Sequence, residues 1–251
     1  MAFSYLTHEG VLAFAHRGGM DAAPENTVAA FSHAVGLGFR YLETDVHASA
    51  DGILYAFHDP DLSRLVGTPQ TISSLSAAEI DTLRVAGGHG IPRMEELLEQ
   101  FPAARFNIDA KAQTACAPLV ALIEKTQCHD RICIGSFDEK RIRLICQSLS
   151  RPVCHSVGMR GAARFWFGGA LRLPQRFSAS CVQFPVARHG FRFLSRQKIA
   201  YAHRLGLQVH AWTINDESLM HDLLDIGVDG IMTDACAVLK KVLIERNLWG
   251  N

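Results

Sequence analysis

Eight short apolar runs alternate with helical patterns along almost the whole chain, at 11–16, 40–46, 105–110, 131–136, 152–157, 181–185, 207–213 and 229–233. This alternation constrains the fold more than any other feature. Parallel strands need crossovers of a dozen or more residues, and helices supply them. A ninth run at 53–57 follows the second strand too closely for a crossover. Asp51-Gly52 before it is a hairpin signal, so this run should fold back antiparallel as an excursion beyond strand two. Eight strands remain, the number that closes a (β/α)8 TIM barrel. The 251 residues match the usual size of that architecture, about 250. Residues 1–251 are therefore expected to form one domain.

Helices should fill the gaps. Asn26-Thr27 opens one that runs through Val35, with Asn26 helping to cap it and Gly36 or Gly38 stopping it. Segments 93–101, 138–149 and 216–226 carry apolar residues at helical spacing, the last ended by Gly227. Segment 60–90 reads as an elaborated loop with one short helix near 76–84.

Composition excludes some functions. The 25 basic and 25 acidic residues balance, so no global field favours nucleic acid or an anionic membrane. Anion recognition must be local. The seven cysteines have no CxxC spacing, as expected of reduced, buried thiols in a cytoplasmic protein. No signal peptide and no membrane-spanning stretch is apparent.

Chemistry-bearing residues concentrate at strand ends. His16 and Arg17 end the first strand, Glu43 and Asp45 the second, and Asp109 and Lys111 the third; His58 ends the excursion. Active sites of such barrels lie at the C-terminal face of the strands. Glu43 and Asp45 are two apart, so both point to one side of the strand. Two carboxylates about 4 Å apart repel by roughly 4 kcal/mol at an effective dielectric near 20. Either their pKa values rise or a cation joins them, and an all-oxygen set suits Mg²⁺ or Ca²⁺. His16 and His58 are suited to acid–base work near neutrality. Arg17 offers a forked donor to phosphate and Lys111 a point charge, while Gly18 and Gly19 would let the backbone approach a ligand closely.

These residues sit in His16-Arg17-Gly18, Pro24-Glu25-Asn26-Thr27, Glu43-Thr44-Asp45, His58-Asp59, Ala211-Trp212-Thr213-Ile214-Asn215 and the run from Gly227 to Asp234. Taken in order, the set resembles the glycerophosphodiester phosphodiesterase family over nearly the whole chain. The resemblance implies hydrolysis of small-molecule glycerophosphodiesters to glycerol 3-phosphate and an alcohol. It implies His16 and His58 as the acid–base pair, Glu43 and Asp45 as metal ligands, and Lys111 and Trp212 as substrate contacts. The family's third metal ligand is usually Glu in an Asn-x-Glu-x-Lys pattern. Here Asn107-Ile108-Asp109-Ala110-Lys111 carries Asp109, one methylene shorter. An alternative within hydrolases is a lysophospholipase D. Segment 161–177, apolar with scattered arginines, would then be a lid or acyl slot rather than a helix and loop packed on the barrel. Glu25 is expected to support the His16 turn. The other ten histidines, His47, His155 and His210 among them, are assigned no role.

Overall fold

Each barrel strand serves two cores, because successive side chains point to opposite faces. On β2 (Tyr41–Ala48) Tyr41 joins an interior cluster with Leu12, Phe14 and Met232, whereas Leu42 and Val46 pack outward against the helices. In this computed structural model residues 3–171, 175–188 and 191–250 are described. The other barrel strands are β1 (Leu12–Ala15), β4 (Arg105–Ala110), β5 (Ile132–Gly135), β6 (Cys154–His155), β7 (Cys181–Pro185), β10 (Gln208–Trp212) and β11 (Gly230–Thr233). They pair in parallel in the order β6-β5-β4-β2-β1-β11-β10-β7. A parallel bridge between Ser156 and Cys181 closes the ring, held by Val157 N–H on the Cys181 carbonyl at 3.1 Å and Ser180 N–H on the His155 carbonyl at 3.1 Å. All eight expected strands are present. A short hairpin of β8 (Ala187–Arg188) and β9 (Phe191–Arg192) follows β7.

The excursion also folds as expected. β3 (Leu54–Ala56) pairs antiparallel with the far end of β2, Val46 opposite Ala56. Segment 60–90 is more ordered than a loop with one helix. It contains α2 (Ser63–Val66), a 3-10 turn at Ile72–Ser74 and α3 (Ala77–Ile80). Ser76 caps α3 with its hydroxyl, and Glu79 reaches back to the Ser76 N–H, a reciprocal capping box. Tyr55, Phe57, Leu62, Ile72, Leu75 and Ile80 form a buried cluster separate from the main core. Its apolar positions follow no single period, which is why sequence periodicity does not reveal it.

Helices α1 (Val28–Gly36), α4 (Met94–Gln100), α5 (Cys116–Thr126), α6 (Glu139–Ser148), α7 (Met159–Leu171), α8 (Arg196–Arg204), α9 (Glu217–Ile226) and α10 (Cys236–Glu245) fill the connections. The cap of α1 is Thr27, whose hydroxyl oxygen accepts from Ala30 N–H at 3.2 Å, and not Asn26. Asn26 sits at φ 55°, which takes it out of capping position and turns its side chain to accept from the Thr44 hydroxyl at 2.8 Å. In α7, Phe165 is buried against Phe177, Phe184 and Tyr201, so that face of segment 161–177 packs on the barrel, while Phe167 is exposed. Residues 172–174 of that segment lie outside the described residues. Among the described residues no helix is long and apolar enough to cross a membrane.

The barrel floor is plugged by the 3-10 turn Ser4–Leu6. Tyr5 stands in the interior, and the Tyr41 hydroxyl donates to the Tyr5 carbonyl at 2.7 Å.

The separate cluster behind β3 should carry real stability. Truncating buried Ile72 to Ala is expected to cost about 2–5 kcal/mol in chemical denaturation. A loss below about 0.5 kcal/mol, usual for surface sites, would mean that 60–90 is loosely attached.

Candidate active site

The site begins with a turn at the end of β1. Arg17 adopts the left-handed region, φ 53° and ψ 30°. There its backbone N–H donates to Glu43 Oε2 at 3.1 Å, and its carbonyl accepts from Asn26 N–H at 2.7 Å. Gly18 and Gly19 are needed beside it for packing. A Cβ on Gly18 would stand 2.9 Å from the Phe31 backbone N, and one on Gly19 would stand 2.6 Å from Cys236 Sγ. The turn can therefore lie directly on α1 and α10.

Each expected acid–base histidine is held through Nδ1 by a carboxylate. His16 Nδ1 meets Asp234 Oδ1 at 2.6 Å. Asp234 is held in turn by Asn215, whose Nδ2 donates to Oδ2 at 2.9 Å and whose Oδ1 accepts the Asp234 N–H at 2.9 Å. His58 Nδ1 meets Asp59 Oδ1 at 2.8 Å. Arg64 joins Asp59 at 2.5 Å to Glu25 at 2.7 Å, and Arg17 reaches the same Glu25 at 3.0 Å. A carboxylate on Nδ1 fixes the proton there and leaves Nε2 for proton exchange. Burial alone would lower the His16 pKa, but Glu43 and Asp234 outweigh it and the net shift is upward. Burial works against the ionised forms of Asp59 and Asp234, yet Arg64 and His16 hold them below the usual carboxylate range.

The three expected ligand carboxylates lie on adjacent strands. Asp45 stands in register with Asp109, and Glu43 with Asn107. They do not meet one another directly. Lys111 Nζ bridges Asp45 at 2.7 Å and Asp109 at 2.8 Å, and Glu43 Oε2 faces His16 Nε2 at 3.8 Å. The ammonium is disfavoured by burial but gains more from the two carboxylates, so its pKa rises. Burial and the Asp45 charge push Glu43 up to about 7. Arg17 Nε comes within 3.2 Å of Asp45 Oδ2, but without hydrogen-bond geometry: both atoms are buried and make no hydrogen bond. Asp45 is 2% exposed. A buried carboxylate oxygen with a free lone pair is what a hard cation, or a better-aligned guanidinium, would take up.

Trp212, at the end of β10, packs edge-on against the exposed Phe137 at 5.9 Å, and Lys111 Nζ lies 6.0 Å from the Phe137 ring centre. Phe137 also lines a cleft of about 1000 Å³, with Arg141, Met159, Arg160 and Phe177. His47 sits behind His58, its Nε2 3.4 Å from the His58 carbonyl. Asp59, Asn215 and Asp234 entered the sequence reading only as members of motifs, with no role of their own, and Arg64 did not enter it. The signals available were Asp59 directly after His58 and Asp234 at the end of the last strand.

The family model described as "Glycerophosphoryl diester phosphodiesterase family" matches residues 16–238. A Mycobacterium tuberculosis protein named "Probable glycerophosphodiester phosphodiesterase 2" is 39% identical, over 98% of this chain and 95% of its own. A lysophospholipase D of Rattus norvegicus is 26% identical, over 91% of this chain and 84% of its own. The crystal structure of a glycerophosphoryl diester phosphodiesterase described as putative, from Silicibacter pomeroyi, superposes with a TM-score of 0.82 at 22% identity. It covers 98% of this chain and 99% of its own, a match of fold.

Two measurements test the electrostatics. Folded, Glu43 keeps its proton up to about pH 7, whereas its unperturbed value is 4.5. The raised pKa leaves stability intact below the unfolded value and removes it progressively as pH rises to 7. Glu43→Gln should therefore stabilise the chelator-treated protein by about 1–3 kcal/mol above neutrality and leave it unchanged in mild acid. A gain independent of pH would contradict the assignment. Asp234→Asn should lower the His16 pKa, read by NMR titration of the ring; an unmoved His16 would show that Asp234 does not tune it.

Proposed function

The chain belongs to the glycerophosphoryl diester phosphodiesterase family, and on that premise we propose that it hydrolyses glycerophosphodiesters to glycerol 3-phosphate and an alcohol, as one cytoplasmic catalytic domain spanning residues 1–251. One observation carries the mechanism: two imidazoles, His16 and His58, each clamped through Nδ1 by a carboxylate, at one rim with Glu43, Asp45, Arg17 and Lys111.

The donor set fits a hard divalent cation, Mg²⁺ or Ca²⁺. The unbonded, buried Asp45 Oδ2 supports this, as does the all-oxygen chemistry of Glu43, Asp45 and Asp109, which would hold the ion. When bound, such an ion offsets charge growing on the phosphoryl oxygens. The shorter Asp109 side chain lies against Lys111, so its share in holding the ion is the least direct.

The chain's own groups supply the rest. Arg17, its guanidinium partly neutralised by Glu25 and Asp45, offers remaining N–H donors to a phosphate oxygen. Lys111 brings a positive charge to the same rim. One histidine Nε2 takes the proton of the nucleophile, water or the substrate's own 2-hydroxyl. The other gives a proton to the departing alkoxide. Asp59 and Asp234 stabilise the imidazolium forms and keep each ring aimed. Trp212 offers an apolar wall to the glycerol or alcohol portion.

A second reading, lysophospholipase D activity, is favoured by the cleft beyond Phe137, where Met159 and Phe137 are exposed. Its size suits an acyl chain.

A substrate panel tests both readings. Glycerophosphocholine and glycerophosphoethanolamine should release headgroup and glycerol 3-phosphate. Chelation should stop turnover, and Mg²⁺ or Ca²⁺ should restore it. His16→Ala and His58→Ala should each lower kcat by about 10²–10⁴-fold. Near-normal turnover in either variant would remove that histidine from the chemistry. Lysophosphatidic acid as the main product from lysophosphatidylcholine would favour the second reading.

A further inference from the structure

Below the charged rim, the barrel interior holds a group that the hydrolytic chemistry does not use. Cys133 on β5, Cys154 on β6 and Cys181 on β7 come from three consecutive staves. Their sulfurs lie within 4.8 Å of one another, with Cys133 Sγ and Cys181 Sγ 4.0 Å apart. All three residues are fully buried, and none is in a disulfide. Three sulfurs around a trigonal ion at about 2.3 Å stand about 4.0 Å apart, and around a tetrahedral ion slightly closer. The spacing therefore needs little adjustment for either.

A second observation points to a ligand. Tyr5 closes the floor beneath these thiols, is 1% exposed, and its hydroxyl has no hydrogen-bond partner. Burial above all, and then the neighbouring cysteines, push the phenol's pKa up. A neutral thiol is a poor acceptor, but a metal-bound thiolate is a good one. An apolar filler in place of the cysteines would leave a buried hydroxyl permanently unsatisfied. The imidazole of His210 lies beside Cys181.

We propose that Cys133, Cys154 and Cys181 form a soft-metal site in the barrel floor that holds one thiophilic d¹⁰ ion, Cu(I) or Zn(II), with the Tyr5 hydroxyl bonded to a ligating sulfur. Binding exchanges S–H for S–metal bonds, and the displaced protons pass to solvent. Three sulfurs with no fourth clustered ligand among the described residues suit trigonal Cu(I). Zn(II) would need a fourth donor. Mg²⁺ and Ca²⁺ prefer oxygen and would not compete here.

The test uses the full-length chain, purified reduced and anaerobically from cells grown with added copper or with added zinc, then gel-filtered. Elemental analysis should give about one equivalent of Cu or Zn per chain. An ultraviolet thiolate-to-metal band should persist in excess Mg²⁺, and the melting midpoint should rise by several degrees. Which arm loads fully identifies the ion. Cys154→Ser should lose affinity at least tenfold, while Cys146→Ser, outside the cluster, should bind as the parent does. Tyr5→Phe should keep the stoichiometry and weaken affinity. Wild-type protein holding below about 0.1 equivalent in both arms overturns the proposal, as does unchanged binding by a folded Cys154→Ser. Should Cys154→Ser fail to fold, the wild-type stoichiometry and the Tyr5→Phe shift decide.

Discussion

Everything at the rim answers to one constraint: β2 buries two carboxylates, Glu43 and Asp45, on the same face, two residues apart. Neither can be ionised there without partners. The chain supplies a guanidinium, an ammonium and one backbone N–H, the last available because Arg17 takes the left-handed conformation. Compensation is incomplete. Glu43 is still pushed up to about 7, and one oxygen of Asp45 makes no hydrogen bond. The folded state thus holds unspent attraction for positive charge at this rim. That is electrostatic preorganisation, and it costs stability that the cores must offset.

The two imidazoles depend on parts of the chain far from them in sequence. Asp234 reaches His16 because β11 lies beside β1, Thr233 opposite Ala15. Asp59 stays against His58 because Arg64 links it to Glu25, and Arg64 rides on α2 within the excursion. The small cluster behind β3 therefore bears on the geometry of His58. It fixes the residue that fixes the residue holding His58. Arg17 shares Glu25 with Arg64, so the His58 support and the turn that follows His16 meet at one carboxylate.

Much of this was legible in the chain. Short apolar runs with intervening helical patterns sufficed for eight staves, and the Asp51-Gly52 turn signal for the antiparallel excursion. Strand-end position sufficed to single out His16, Glu43, Asp45, His58, Asp109 and Lys111. What escaped shares one cause: it depends on closure of the ring or on packing between segments. Asp234 looks like any strand-end acid until β1 and β11 pair. Lys111 reads as a free cation until register sets Asp45 beside Asp109. Gly18 and Gly19 suggest ligand approach, whereas helices α1 and α10 occupy the space their missing Cβ atoms leave. The cysteines at 133, 154 and 181 share no short motif, yet the crossover lengths bring them to one layer.

The same strands carry very different chemistry two residues apart, and the barrel's depth explains why. Going inward along β4, Asp109 gives way to Asn107; along β10, Trp212 gives way to His210. Asn107 accepts from Gln183, and Gln183 lies 3.4 Å from His210, so the middle layer is polar but self-satisfied. Cys133, in register with Asn107, and Cys154 beside it belong with Tyr5 and Met232 to the interior cluster. Charge is tolerable only where the mouth admits water. Neutral hydrogen-bonded groups are tolerable below it, and soft or apolar groups deeper still. This ordering keeps the charged rim apart from the buried sulfurs.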